Sequence, residues 1–254
     1  MSDGQLKAYY VYSPWLRIFH WLMVMSIVVL FFTGLYIGNP FFIGSQGLEP
    51  TYAFSERLSM ETVRFIHFAA AFILVCAFVL RVYGFVVNKG DRLLPRFWTK
   101  QHWAWTMDIM LHYMLLRASH KPYLRNPLAR MSYLGVYFLI GIEAITGFTM
   151  YVMVDPKSIW GQSFSLVNSL LINEYYVHLI HHYVAWLIII FAVVHIYMAV
   201  RADFMEREGE ISSMFSGVKF LAHQPVDLGE IATEEDSLVR YWDNIARDSR
   251  PHSG

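Results

Sequence analysis

"HLIHHYVAWLIIIFAVVHIY", residues 178–197, sets four histidines around twelve residues that carry no charge. A polar ring in so apolar a run is costly unless it has a partner, so an ionisable residue there marks a functional candidate. The run is also long enough to cross a bilayer, which takes about 20 apolar residues. Three other stretches have the same character, so spans are predicted at 18–38, 65–87, 131–154 and 179–200. The composition agrees: 56% of the 254 residues are hydrophobic and 16% charged, against about a quarter charged in soluble domains. The first span is flanked by Trp15 and Trp21 and lacks a small-residue cleavage site, so it reads as a span and not as a signal peptide.

Charge distribution orients the spans. The connection 88–130 carries eight Lys/Arg (Lys89, Arg92, Arg96, Lys100, Arg117, Lys121, Arg125 and Arg130), whereas 155–174 carries one, Lys157. The connection 39–64 holds Arg57 and Arg64 against three glutamates. By the positive-inside rule the middle connection and both termini are cytoplasmic. The fold expected is an all-α membrane protein, a four-helix bundle over residues 1–205, with a polar cytoplasmic tail over 206–254. Within the middle connection, 103–116 (WAWTMDIMLHYMLL) reads as a helix packed on the bundle or lying on the cytoplasmic surface. Residues 157–172 read as a short outer interfacial helix. The single cysteine, Cys76, excludes disulfides and CxxCH haem attachment. Zero formal net charge gives no reason to expect nucleic acid as a partner.

Helical geometry then sorts the histidines. His181 and His195 are fourteen apart, so they return to within about 40° of one face, about 21 Å apart along the axis. His182 falls about 140° from His195 by the same count. With span four starting outside, His181 lies at the outer level and His195 at the inner level. His67, near the outer start of span two, matches His181 in depth, and His20, near the inner start of span one, matches His195. Opposed imidazoles at two depths are what two noncovalent bis-histidine b haems in a four-helix bundle require. His178 and His182 sit near the interface and read as wetted or supporting residues.

Two further residues fall on the same faces. Gly34, fourteen after His20, returns to that face at the outer level, where bare backbone permits close approach by a porphyrin or by a neighbouring helix. Arg81, fourteen after His67, lies near the inner level, placed either to pair with a haem propionate or to snorkel to the headgroups. No catalytic residue is assigned.

"SPWLRIFHWL" (13–22), "RFIHF" (64–68), "RNPLA" (125–129), "ITGF" (145–148) and "HIYMAVRADFM" (195–205) follow one another in an order and spacing that resembles the cytochrome b subunit of membrane-bound nickel–iron uptake hydrogenases. The resemblance runs to about residue 215. It implies a bacterial inner-membrane protein with two b haems, whose ligand pattern lands on His20, His67, His181 and His195. The implied partners are the hydrogenase small subunit, the large subunit through it, the membrane quinone pool and further copies of the complex. In that role electrons from the hydrogenase iron–sulfur clusters reach quinone through this chain. Two positions depart from the family: Arg125 stands where a histidine often precedes Asn-Pro, and Glu143 lies inside the third span.

The quinone end is expected near the inner haem, where Asn126 could hydrogen-bond a quinone carbonyl and Arg125 could stabilise developing negative charge. Asn126-Pro127 also fits an ordinary helix cap, a role compatible with the first. The outer connections are expected to meet the small subunit through Phe41, Phe42, Tyr52, Trp160 and Phe164, unless lipid headgroups cover those rings. A formate dehydrogenase or thiosulfate reductase type cytochrome is the nearest alternative. A histidine-based divalent-metal permease is the remote one, and only Glu143 would serve it as an intramembrane carboxylate.

Overall fold

The computed structural model describes residues 7–38, 59–87, 95–119, 121–171, 173–206, 209–221 and 225–227. Four of its helices are long and apolar enough to span a membrane: α1 (Pro14–Gly38), α2 (Met60–Val87), α4 (Pro127–Val152) and α6 (Glu174–Glu206). Shorter elements are β1 (Lys7–Tyr10), α3 (Lys100–Tyr113), α5 (Ile159–Leu170), α7 (Glu210–Ser216) and β2 (Val218–Leu221). The protein is an all-α membrane protein with one two-stranded ribbon.

Local sequence sets where the helices begin. Each of α1 to α6 is preceded by a Ser, Thr or Asn whose side-chain oxygen accepts the amide three positions on. The pairs are Ser13 with Leu16, Ser59 with Thr62, Thr99 with His102, Asn126 with Ala129, Ser158 with Gly161 and Asn173 with Tyr176. These side chains satisfy amides that have no partner within the helix. Pro14 and Pro127 occupy the first helical position, where the missing N–H costs nothing. Asn126 Oδ1 also accepts the Leu128 amide at 3.0 Å. At the other end of α3, Leu116 N–H reaches Leu111 O and Leu115 N–H reaches His112 O. This is the Schellman pattern, with Leu115 in the left-handed position (φ 62°) that glycine usually fills.

The chain divides into two compact units. The helical unit comprises 18–83 and 140–189. In it, Thr33 of α1 meets His67 of α2, and Phe72 of α2 packs edge-on against Phe148 and Tyr151 of α4. Thr146 of α4 meets His181 of α6, and Phe31 of α1 packs on Trp186 of α6 at 5.4 Å. The contacts therefore close in the order α1, α2, α4, α6, which sets α2 diagonal to α6. Outside the ring, Phe164 of α5 stacks on Phe148.

The second unit comprises 1–17, 84–139 and 190–254. Here β1 pairs antiparallel with β2, Lys7 opposite Leu221 and Tyr10 opposite Val218. The 206–254 stretch expected as a polar tail thus contributes a helix, a strand and a buried anchor. Asp227, 2% exposed, accepts the Leu124 and Arg125 amides at 2.8 Å each. Val11, Leu124 and Leu221 form the small core beneath the ribbon. The amphipathic helix of the middle connection is α3. It buries Trp105 and Ile109 against Tyr123, while Trp103 and Met107 stay exposed.

Candidate functional site

Two Thr-Gly dipeptides organise the helical unit. Thr33 donates its hydroxyl to Val29 O at 2.7 Å, and Thr146 donates to Ile142 O at 2.8 Å. A helical threonine commonly makes this bond to the carbonyl four residues back. Each hydroxyl oxygen also meets an imidazole on the next helix: Thr33 Oγ1 lies 2.8 Å from His67 Nδ1, and Thr146 Oγ1 lies 3.0 Å from His181 Nδ1. A hydroxyl has one proton and two lone pairs. With the proton given to the carbonyl, the oxygen accepts from Nδ1–H. That assignment leaves the Nε2 lone pair of each ring available to a metal.

The glycines complete the two cradles. A Cβ at Gly34 would lie 3.5 Å from His67 Cε1, and one at Gly147 would lie 3.2 Å from His181 Cε1. The first is ordinary contact. The second is tight, so a side chain at 147 pushes on the ring. His67 and His181 stand on the diagonal helices α2 and α6.

Glu143 Oε1 lies 3.2 Å from His181 Nε2. With Nδ1 carrying the ring proton, that contact is a hydrogen bond only if the carboxyl is protonated and donates. Metal ligation at Nε2 would replace it. The carboxyl's other oxygen is buried with no hydrogen-bond partner among the described residues.

The other residues singled out from the sequence fall elsewhere. His195 contacts two aromatic rings: Phe191 stacks on it at 5.6 Å and 8°, and Tyr133 meets it edge-on at 6.0 Å. His20 is half-buried with Trp21 edge-on at 5.2 Å. His182 is exposed and accepts from Trp186 Nε1 at 3.3 Å; His178 is exposed and bonds to Glu174 O at 2.9 Å. Neither joins the Thr-Gly cradles. Arg81 is 4% exposed, an unusual depth for a guanidinium. Arg125 is equally buried. Asn126 is engaged at both ends, its oxygen capping α4 and its Nδ2 donating to Tyr113 Oη at 3.0 Å. Trp160 is exposed, whereas Phe164 is packed on Phe148. Phe41, Phe42 and Tyr52 lie outside the described residues. Spacing alone selects Gly34 but neither threonine nor Gly147. The signal that finds them is the repetition of Thr-Gly in two spans.

These residues fit a haem. Paired imidazoles presenting Nε2, each beside a glycine, suit iron whose remaining ligands come from a porphyrin. Among the described residues no group of three His, Cys, Asp or Glu gathers as a bare metal ion would need. Four apolar spans with imidazoles held inside them define a membrane cytochrome of the b class. The family model described as prokaryotic cytochrome b561 matches residues 11–217. A probable Ni/Fe-hydrogenase B-type cytochrome subunit of Cupriavidus necator is 35% identical over 225 residues, covering 86% of this chain and 89% of its own. The Rhizobium leguminosarum bv. viciae subunit of that description is 37% identical over 217 residues, covering 83% and 88%. A probable Ni/Fe-hydrogenase 1 B-type cytochrome subunit of Escherichia coli K12 is 30% identical over 244 residues, covering 93% and 99%. The chain belongs to this family of Ni/Fe-hydrogenase B-type cytochromes. Its four spans and bacterial relatives make it a multi-pass protein of the bacterial inner membrane.

Proposed function

We propose that the chain is the membrane cytochrome of a complex with the small and large subunits of a Ni/Fe hydrogenase. In this reading it holds two b haems noncovalently and connects the hydrogenase to the membrane quinone pool. The observation that carries the proposal is the pair of Thr-Gly-cradled imidazoles on diagonal helices. Bound haem supplies reversible one-electron chemistry.

The protein's own groups hold, orient and shield. His67 and His181 would ligate at the outer level through Nε2, and His20 and His195 at the inner level. Buried Arg81, on α2 with His67, would face a propionate. In this orientation β1 and β2, paired with each other, lie on the cytoplasmic side. On the outer side, exposed Trp160 is a docking group for the small subunit, the kind of ring that anchors interfaces. At the quinone end, Asn126 is held as the cap of α4, and Arg125 beside it would stabilise charge developing on quinone.

A reduced-minus-oxidised spectrum of the purified complex tests the cofactor, with a sharp haem b α band expected. Arg125→Ala tests the quinone end: hydrogen-dependent quinone reduction should slow at least tenfold while the haems still reduce under hydrogen. Normal quinone turnover would place the site elsewhere. Trp160→Glu should weaken co-purification of the hydrogenase at unchanged haem content.

A further inference from the structure

We propose that Thr33 and Thr146 are a matched pair of positioning residues that fix the tautomer of His67 and His181 and make both rings more basic ligands. This rests on the reading of those histidines as haem ligands and adds a role for two residues that are not themselves ligands. The threonines stand in equivalent relations to their partners, 34 and 35 residues upstream. Each hydroxyl is oriented by a bond to its own helix, at 2.7 and 2.8 Å, before it meets the ring. Each is followed by a glycine, and at Gly147 the missing side chain leaves the His181 ring its room, since a Cβ there would lie 3.2 Å from Cε1. Thr146 is 2% exposed, so no water competes for its lone pair.

The chemical consequence follows from the direction of the bond. An Nδ1–H that donates to oxygen pushes electron density toward Nε2, and such outer contacts orient a ligating ring and raise its basicity. A more basic axial ligand favours ferric over ferrous iron, so the threonines hold the potential of the outer haem down. Because one hydroxyl serves each axial ring, the two contributions act on one iron and in one direction. The cradle thus sets an electron-transfer property without touching the iron.

The test uses the whole complex with four variants, Thr33→Val, Thr146→Val, Thr33→Ser and Thr146→Ser. Valine keeps the shape and removes the hydroxyl; serine keeps the hydroxyl and removes the methyl. Each valine variant should retain haem but shift the outer haem's reduction equilibrium about tenfold toward the ferrous form, about 59 mV upward for a one-electron couple. The ferric electron paramagnetic resonance spectrum should change with it. Each serine variant should keep the wild-type potential and spectrum. Unchanged potentials in both valine variants would overturn the proposal, as would equal shifts in valine and serine variants, since packing alone would then explain them. If a valine variant loses haem, its serine counterpart decides: wild-type potential sustains the proposal, and loss of haem there too overturns it. Failure of the underlying haem reading looks different: the wild type would show no α band, or His181→Ala would keep its full haem complement.

Discussion

The two units handle buried polarity in opposite ways. In the helical unit the polar contacts at the centre are largely neutral: hydroxyl to carbonyl, hydroxyl to imidazole, carboxyl to imidazole. In the second unit full charges are buried. Lys219, 3% exposed, pairs with Glu210 at 2.5 Å. Asp108 pairs with Arg117 and accepts from the Lys121 amide and the Tyr123 hydroxyl. Asp227 takes two backbone amides. A charge at the depth of a bilayer costs several kcal/mol or more; the second unit meets each of its buried charges with an opposite charge or with backbone amides. Arg81 is the departure inside the helical unit, and it sits in α2 with the candidate ligand His67.

The contrast can be broken at its tightest point. Gly147→Val puts three carbons where one would already crowd His181 at 3.2 Å. It should remove the outer haem while the second unit, probed by limited proteolysis of α7 and β2, stays folded. Retention of both haems would show that the ring has room to yield. Gly34→Ala is the sharper companion. A methyl there meets His67 at ordinary contact distance, so haem content should fall little.

Acid separates the units next. Burial pushes the Asp108 carboxyl up, but the Lys121 amide and the Arg117 guanidinium outweigh it and hold it below the usual carboxylate range. A depressed value means the stabilisation is fully present above the unfolded pKa, about 3.9. It is lost as pH falls through the still lower folded value. Asp108→Asn should therefore weaken the α3 region at pH 7 by about 1–3 kcal/mol, the cost of disrupting a buried, charge-assisted set of bonds. The difference from wild type should shrink below about pH 4. Hydrogen exchange across 100–123 measures this; an undiminished gap in acid would mean that the carboxylate charge is not the cause.

The smallest effect is expected at the end of α3. Leu115 holds a left-handed conformation that costs a side-chain residue about 1–2 kcal/mol. Leu115→Gly should slow exchange of the last α3 amides by up to about tenfold, leaving haem content unchanged. Faster exchange would show that the exposed leucine side chain contributes more than its backbone costs.

How much of this is legible in the chain differs by feature. The spans are, because a run such as 179–200 has no other stable home. The caps at Asn126-Pro127 are too, since the bond is local. The cradles are not: Thr33 and Thr146 resemble any helical threonine until the ring order α1, α2, α4, α6 brings His67 and His181 beside them. Glu143 stands out as a carboxylate in an apolar span, but its partner at 3.2 Å depends on the same order. The ribbon is hidden for another reason. Its strands are four residues each and more than two hundred apart in sequence, too short and too distant to show a period. Asp227 likewise gives no sign of its burial until Leu124 and Arg125 turn their amides toward it.

The central assignment, that His181 is an axial ligand and its neighbour His182 is not, is tested most directly by haem counted per purified protein in His181→Ala and His182→Ala. Two haems in the His182 variant and one in the His181 variant are expected, the surviving haem being the inner one. Two haems in His181→Ala, or one in His182→Ala, would contradict the assignment.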